Sequence, residues 1–308
     1  MVTASVVICT FNRPLQLPIA VQSVRMQVLR PGFSAELVVV DNSTDANARD
    51  TVLALASEDG LPLRYISEPR PNISLARNAG VAGSMGDFLV FIDDDERCEP
   101  GWLDAMIGTA EQSGGDVVFG PVLAEFPDGP PDWDPSGHSL ERRIALPTGS
   151  EIGLRHDPKL SGMWIGTGNS AIRRATCFAG GKPPFEQALG GSGGEDYDLF
   201  LRLSQSGRRF IWCAEGVVWE PVPASRLTTE YRLRRAFATG QHFAAITVRR
   251  ARHPQAMAAY VLIKAAVQLA LLRMLALIDQ LRGAAASDTF IFRLAMVRGK
   301  LLWWKLGL

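Results

Sequence analysis

The sequence is poor in cysteine. Its four, Cys9, Cys98, Cys177 and Cys213, stand too far apart for any C-x-x-C pair. Zinc-ribbon and redox readings are thereby excluded, leaving isolated thiols of the kind buried in a reducing compartment. Histidine is equally scarce, at four, and none has a clear nucleophile partner. The run Gly190-Gly191-Ser192-Gly193-Gly194 formally spells G-x-S-x-G, but PPFEQAL precedes it where a hydrolase elbow needs a strand. The first turn, Thr10-Phe11-Asn12-Arg13-Pro14, has no glycine, which excludes the usual dinucleotide fingerprint. No basic segment leads into an apolar stretch and cleavage site at the N-terminus, so a cytoplasmic protein is expected. Net charge of one sign is also missing: 32 Lys+Arg balance 32 Asp+Glu. A uniformly basic, nucleic-acid-coating protein is excluded.

What is present is globular. The 308 residues are 47% hydrophobic and 21% charged, with seven Trp and fourteen Phe, enough for a sizeable core without disulfide or metal staples. Apolar runs at residues 5–9 (SVVIC), 36–40 (ELVVV), 63–66 and 88–92 (FLVFI) suit strands buried on both faces. Helical patterns at 15–27, 46–57 and 74–82 separate them. The alternation predicts an α/β fold: an open, mostly parallel sheet flanked by helices. In such sheets ligands bind at the carboxyl ends of the strands. Thr10 and Asn12, Asp41, and the run Asp93, Asp94, Asp95 stand at three of those ends.

Further along, 126–158 is Pro-, Gly- and Asp-rich loop, and 117–119, 170–172 and 210–212 read as short strands. A helix is expected over 195–205, with Glu195 and Asp196 at the end where the macrodipole favours carboxylates. Beyond about residue 225 the composition changes to helical segments at 231–252, 257–281 and 290–308.

The Asp93-Asp94-Asp95 run is the sharpest chemical signal. Three adjacent carboxylates repel one another, and hard divalent ions are held by one or two carboxylates plus substrate phosphates. Metal-diphosphate binding is the expectation; the alternative is a solvated acidic turn. The Glu195-Asp196 pair follows the glycine-dense run, whose backbone can approach a ligand closely. A general base there would suit activation of an acceptor hydroxyl; from spacing alone a helix cap serves equally.

In combination these segments resemble glycosyltransferase family 2, the inverting nucleotide-sugar enzymes of the GT-A fold, and among them bacterial transferases of exopolysaccharide assembly. The resemblance rests on VVICTFNRP, VVVDNS, RPNISLARNAG, GDFLVFIDDDE, TGNSAIRR and GGEDYDLFLRL, in order over roughly residues 4–225. It implies that Thr10, Asn12, Asp41 and Arg77 meet the nucleotide, with Asp93 or Asp94 facing the ribose. Asp95, with Asp93, would hold Mg2+ or Mn2+. Asn169, Gly193 and Gly194 would line the donor or acceptor sugar. Asp196, beside Glu195, would be the catalytic base. Where many relatives carry a histidine late in the domain, this chain has Glu220. Either it is an oxygen ligand favouring Mg2+ or Mn2+, or it is a surface acid and the ion keeps waters.

The implied organisation is a GT-A nucleotide-sugar domain over 1–225 and a basic, apolar helical segment over 226–308. Residues 1–225 carry 18 Lys+Arg and 29 Asp+Glu, a net of −11, whereas 226–308 carry 14 and 3, a net of +11. Lys264, Gln268, Arg273, Asp279 and Arg282 interrupt the long apolar segment, which argues against a bilayer span. An interfacial helix, a packed hairpin and a homodimer surface are the options. Trp303-Trp304 between Lys300 and Lys305 resembles an interfacial anchor. The expected enzyme moves a hexose from a UDP-type donor to a glycan or lipid-linked oligosaccharide. It would sit at an anionic membrane surface, on the inner face of the plasma membrane. A non-catalytic sugar-nucleotide-binding scaffold and a sugar nucleotidyltransferase are the rival readings.

Overall fold

The computed structural model describes residues 1–153, 165–281 and 288–306. The 154–158 end of the expected loop and Arg282 lie outside them. The first strands and helices follow in the expected order: β1 (Val2–Thr10), α1 (Leu17–Arg25), β2 (Phe33–Asp41), α2 (Arg49–Ala56), β3 (Leu63–Ser67), α3 (Ile73–Gly83) and β4 (Phe88–Phe91). Then come β5 (Arg97–Cys98), α4 (Trp102–Ser113), β6 (Val117–Phe119), β7 (Val122–Glu125), β8 (Ser170–Arg173), α5 (Arg174–Cys177), α6 (Glu195–Gln205), β9 (Phe210–Trp212) and β10 (Val218–Pro221). The helices α7 (Ala224–Leu227), α8 (Thr229–Arg249), α9 (Pro254–Leu281) and α10 (Asp288–Leu301) complete the chain.

Seven strands form one sheet in the order β3-β2-β1-β4-β8-β6-β9. Only β8 runs against its neighbours, antiparallel to β4 and β6. The side-chain period of two along each strand divides the interior into two cores. Val6, Ile8, Leu37, Val39 and Val90 point into one, against Leu17, Val21, Val24 and Trp102 of α1 and α4. Val7, Val38, Val40, Leu89 and Phe91 point into the other, against Ala76, Phe185, Leu199 and Phe200. Such strands read as unbroken apolar runs because both faces are covered. At Gly80 an added Cβ would lie 2.5 Å from Val7 Cγ1, so this glycine lets α3 lie close on the sheet.

Two features were not anticipated from sequence. Helix α4 is delimited by Gly101 (φ +79°) and Gly114 (φ +64°), left-handed positions that start and stop it. A second, separate sheet of three strands pairs in the order β5-β10-β7. Its strands span two to four residues, too short to display a period. The four cysteines are free, and burial pushes the thiols up, to about 12 at Cys9 and about 11 at Cys98 and Cys177. They are poor nucleophiles.

The chain divides into two compact units, Met1–Gly191 with Asp198–Val222, and Ser192–Tyr197 with Pro223–Leu308. In the second, Thr228 caps α8 by accepting the Tyr231 N–H at 3.3 Å. Trp303 packs beside Ala244, Val248 and Val261, whereas Trp304 is 53% exposed. Residues Pro254–Ile278 are long and apolar enough to cross a membrane, with mean hydropathy 2.1 in the best 18-residue window and 11% of that window buried.

Candidate active site

In the first unit the polar groups stand at the strand ends, as the parallel topology requires. Thr10, the last residue of β1, is buried and donates its hydroxyl to Asp94 Oδ2 at 2.7 Å. Two residues on, Asn12 adopts a left-handed φ of +55° and accepts from Asn47 Nδ2 at 2.6 Å. The chain then turns Arg13 back over the acidic run, with Nη1 2.9 Å from Asp94 Oδ1 and 2.5 Å from Asp95 Oδ2. The repulsion within the triple aspartate is thus offset by a guanidinium the motif did not include. Burial pushes the Asp94 carboxyl up, while Arg13 and Thr10 pull it down. Asp93 is the exposed member of the three.

Behind Asp93 lies a residue missed in the sequence. Glu96 is buried and accepts the Asp93 N–H at 2.9 Å. Burial first, then the charges of Asp93 and Glu220, push its carboxyl well above the ordinary range, opposed by the Asp93 N–H and Arg142. Glu220, half-buried in β10, is therefore in electrostatic reach of this corner. Arg142 is a second missed residue, enclosed and donating to the carbonyls of Gly120 (2.9 Å), Gly166 (3.2 Å), Gly168 (2.5 Å) and Asn169 (2.9 Å). It staples the segment that faces the acidic run. A Cβ at Gly168 would lie 2.7 Å from Asp93 Oδ2 and 3.0 Å from Glu96 Oε1, so glycine there keeps the acidic corner open. No sequence signal marked Glu96 beyond its neighbours, and none marked Arg142.

Two expected ligand contacts sit deeper than anticipated. Asp41 is fully enclosed. Its carboxylate accepts from Ser43 N–H (3.0 Å), the Ser43 hydroxyl, Ala48 N–H (2.9 Å) and the Tyr65 hydroxyl (3.1 Å). Asn169 is likewise enclosed, with a left-handed φ of +52°. It accepts the Trp102 indole N–H at 2.8 Å and donates to the carbonyls of Pro121 (2.6 Å) and Gly216 (2.7 Å). Both side chains are engaged by the scaffold on all sides. Arg77, on α3, is buried with its guanidinium 5.6 Å from the Phe185 ring. Its charge, with those of Asp93 and Asp94, acts on Cys9 at the end of β1.

In the second unit Gly193 and Gly194, both at φ +91°, lead into Glu195 and Asp196 at the start of α6. Glu195 is buried and Asp196 half-buried, with Asp196 Oδ1 accepting the Tyr197 N–H at 2.7 Å.

Among the described residues no three acidic, histidine or cysteine side chains are gathered as a ready-made ion site. Asp93 and Glu220, both in electrostatic reach of Glu96, offer only oxygen, and Gly168 keeps the space beside Asp93 open; donors of that chemistry fit a hard cation that takes its remaining ligands from phosphate and water.

The glycosyl transferase family 2 profile matches residues 5–177. The chain is 33% identical over 234 residues to succinoglycan biosynthesis protein ExoM of Rhizobium meliloti (strain 1021), covering 76% of this chain and 72% of that one. It is 29% identical over 143 residues to the GalNAc(5)-diNAcBac-PP-undecaprenol beta-1,3-glucosyltransferase of Campylobacter jejuni, 45% of this chain and 43% of that. Among solved structures, S. aureus TarS 1–349 in complex with UDP-GlcNAc aligns with a TM-score of 0.59 at 14% identity, over 84% of this chain and 70% of that. GalNAc-T7 with UDP, GalNAc and Mn2+ aligns at 0.55 and 16%, over 80% and 48%. At such identities the likeness speaks for the fold, which is the expected GT-A architecture.

Proposed function

The chain belongs to glycosyltransferase family 2, and from that premise we propose an inverting, metal-dependent hexosyltransferase. It would act from a UDP-linked donor on a hydroxyl of a lipid-linked oligosaccharide or polysaccharide precursor. One observation carries the reading: within the family-matching residues, Asp94 and Asp95, just past the end of β4, are held by Thr10 and Arg13 from the end of β1, with Asp93 exposed beside them. The UDP in the TarS and GalNAc-T7 complexes supports the choice of nucleotide, and the PP-undecaprenol relative supports a lipid-carried acceptor.

Asp93, Asp95 and Glu220 would hold Mg2+ or Mn2+, which when bound neutralises charge on the donor diphosphate. Arg77 supplies a fixed cation for the same diphosphate. Thr10, Asn12 and Asp94 shape the nucleotide site. Asp41 and Asn169 support it from beneath, through the 43–48 segment and the Trp102 indole. Gly193 and Gly194 give the sugar close approach to backbone. Asp196, paired with Glu195, takes the proton of the acceptor hydroxyl as that oxygen bonds to the anomeric carbon. The bond from that carbon to the diphosphate oxygen breaks on the opposite face, its electron pair leaving with the nucleoside diphosphate, so the configuration inverts.

The second unit would rest on the inner face of the plasma membrane. Ile263, Val267, Leu271, Met274 and Leu277 of α9 are each more than half exposed, and the net charge of +11 over 226–308 suits anionic headgroups. The alternative use of the same surface, a homodimer, would appear as a detergent-insensitive dimer in sedimentation. The central test is Asp196→Asn. It should abolish sugar transfer while UDP-sugar still stabilises the protein against heat in the presence of Mn2+; retained turnover would remove Asp196 as the base. Donor binding without transfer by the unaltered protein would favour the scaffold reading.

A further inference from the structure

The backbone that delivers Asp196 is pressed against one face of α8. A Cβ on Gly193 would lie 3.3 Å from His242 Cε1, and one on Gly194 would lie 2.8 Å from Ile246 Cδ1 and 3.3 Å from His242 Cβ. His242 and Ile246 are four residues apart, hence on one helical face. One turn further into α6, the Tyr197 ring lies 5.7 Å from that of Phe243. The glycines at φ +91° are required twice over, by backbone conformation and by the closeness of the imidazole.

The ring is held in one orientation. His242 hydrogen-bonds the Ser192 backbone in the sense that favours the protonated nitrogen, so the ring donates to the carbonyl. Among the described residues Nε2 is buried with no hydrogen-bond partner, which leaves Nδ1 for the Ser192 bond. Burial lowers the affinity of the ring for a second proton, against Ser192 and the charge of Asp196, which raise it. Burial therefore favours the neutral ring, in which Nε2 is an acceptor. A buried acceptor with nothing to accept is costly, and an apolar residue would fill the same space without that cost. Histidine is therefore poorly explained by stability alone.

We propose that His242 is the positioning residue for the acid pair. Its imidazole, pressed against the Gly193-Gly194 turn, clamps that turn and sets where Asp196 presents its carboxylate. The inference rests on the reading of Asp196 as the base. His242 acts through the backbone of Ser192, Gly193 and Gly194. Lys300 of α10 places its ammonium over the neighbouring Phe243 ring, 5.5 Å from the centroid.

Three variants of the full chain test this, with transfer rates per folded molecule, KM for the UDP-sugar and melting temperature measured for each. His242→Phe keeps a ring but loses the Ser192 bond; kcat should fall roughly 10–100-fold with donor KM within about twofold, because displacing a catalytic group by about 1 Å costs on that order. His242→Asn places an amide N–H near the Nδ1 position and should recover most of that loss. A wild-type kcat in His242→Phe overturns the proposal, as does a His242→Asn protein as slow as His242→Phe. Asp196→Asn in parallel separates the two readings. If it is inactive while His242→Phe runs at full rate, only the clamp is wrong; if it turns over, the base assignment itself has failed.

Discussion

Gly168→Ala is the most discriminating change in the donor site. The added Cβ would lie 2.7 Å from Asp93 Oδ2 and 3.0 Å from Glu96 Oε1, where favourable non-bonded separations are about 3.5 Å or more. The carboxylates must retreat by about 0.5–1 Å. Glu96 has little room, being enclosed and bonded to the Asp93 N–H at 2.9 Å, so most of the shift falls on Asp93, which is exposed and can swing. Stability should hardly change, with the melting temperature within about 2 °C, the order expected from roughly 0.5–1 kcal/mol in a domain of this size. Catalysis should respond far more, because a misplacement of about 1 Å costs up to about 10²-fold. We expect kcat/KM for the UDP-sugar to fall roughly 10–100-fold, or about 1.4–2.7 kcal/mol of transition-state stabilisation. The Mn2+ concentration needed for half-maximal rate should rise. Initial rates over a metal titration, with calorimetry of UDP-sugar binding, read both. A kcat/KM within twofold of wild type would refute the assignment of Asp93 to the reacting end. So would a large loss of stability with undiminished activity per folded molecule.

Asn169→Ala should act in the opposite way, through the scaffold. It orphans the Trp102 indole and the carbonyls of Pro121 and Gly216. At about 1–3 kcal/mol per buried group, less non-additivity, urea denaturation should show a loss of about 3–5 kcal/mol; a loss under about 1 kcal/mol would return Asn169 to the sugar. Glu96→Gln, measured in EDTA, carries a pH signature. A raised carboxyl contributes stability below the ordinary carboxylate range and loses it as pH rises through the raised value. The variant should therefore match wild type near pH ~4 and exceed it in melting temperature by pH ~8; a gap that does not widen with pH would show Glu96 to be ionised at no cost. The tail should bind anionic vesicles and release them in raised salt, since headgroup attraction is screened within a Debye length; cosedimentation indifferent to salt would mean that α9 alone, or a second protein copy, makes the contact.

The order of strands and helices through β4 was legible in the sequence because doubly covered strands are written as short apolar runs, and helices as period-3.6 stretches between them. The span of α6 was legible too, from its acidic first turn and alternating apolar residues. Helix α4 escaped because its boundaries are glycines rather than polar caps, and the β5-β10-β7 sheet because two to four residues display no period. At the site, the acidic run and the Glu-Asp pair could be seen as adjacent residues in one dimension. Arg13, 81 positions from Asp94, could not be paired with it before the ends of β1 and β4 were set side by side.

Local pattern alone therefore determined the α/β class, the family and which acidic residues form the candidate site, since each depends on residues close together along the chain. Burial and convergence were decided only in three dimensions. Packing enclosed Asp41 and Asn169, left Asp93 outward, drove Glu96 against it, and brought Arg142 and Gly168 to the same corner. It also set His242 against the glycines before Asp196. Whether a polar group is a strut or a contact depends on which donors surround it, and those donors come from strands and loops scattered along the sequence.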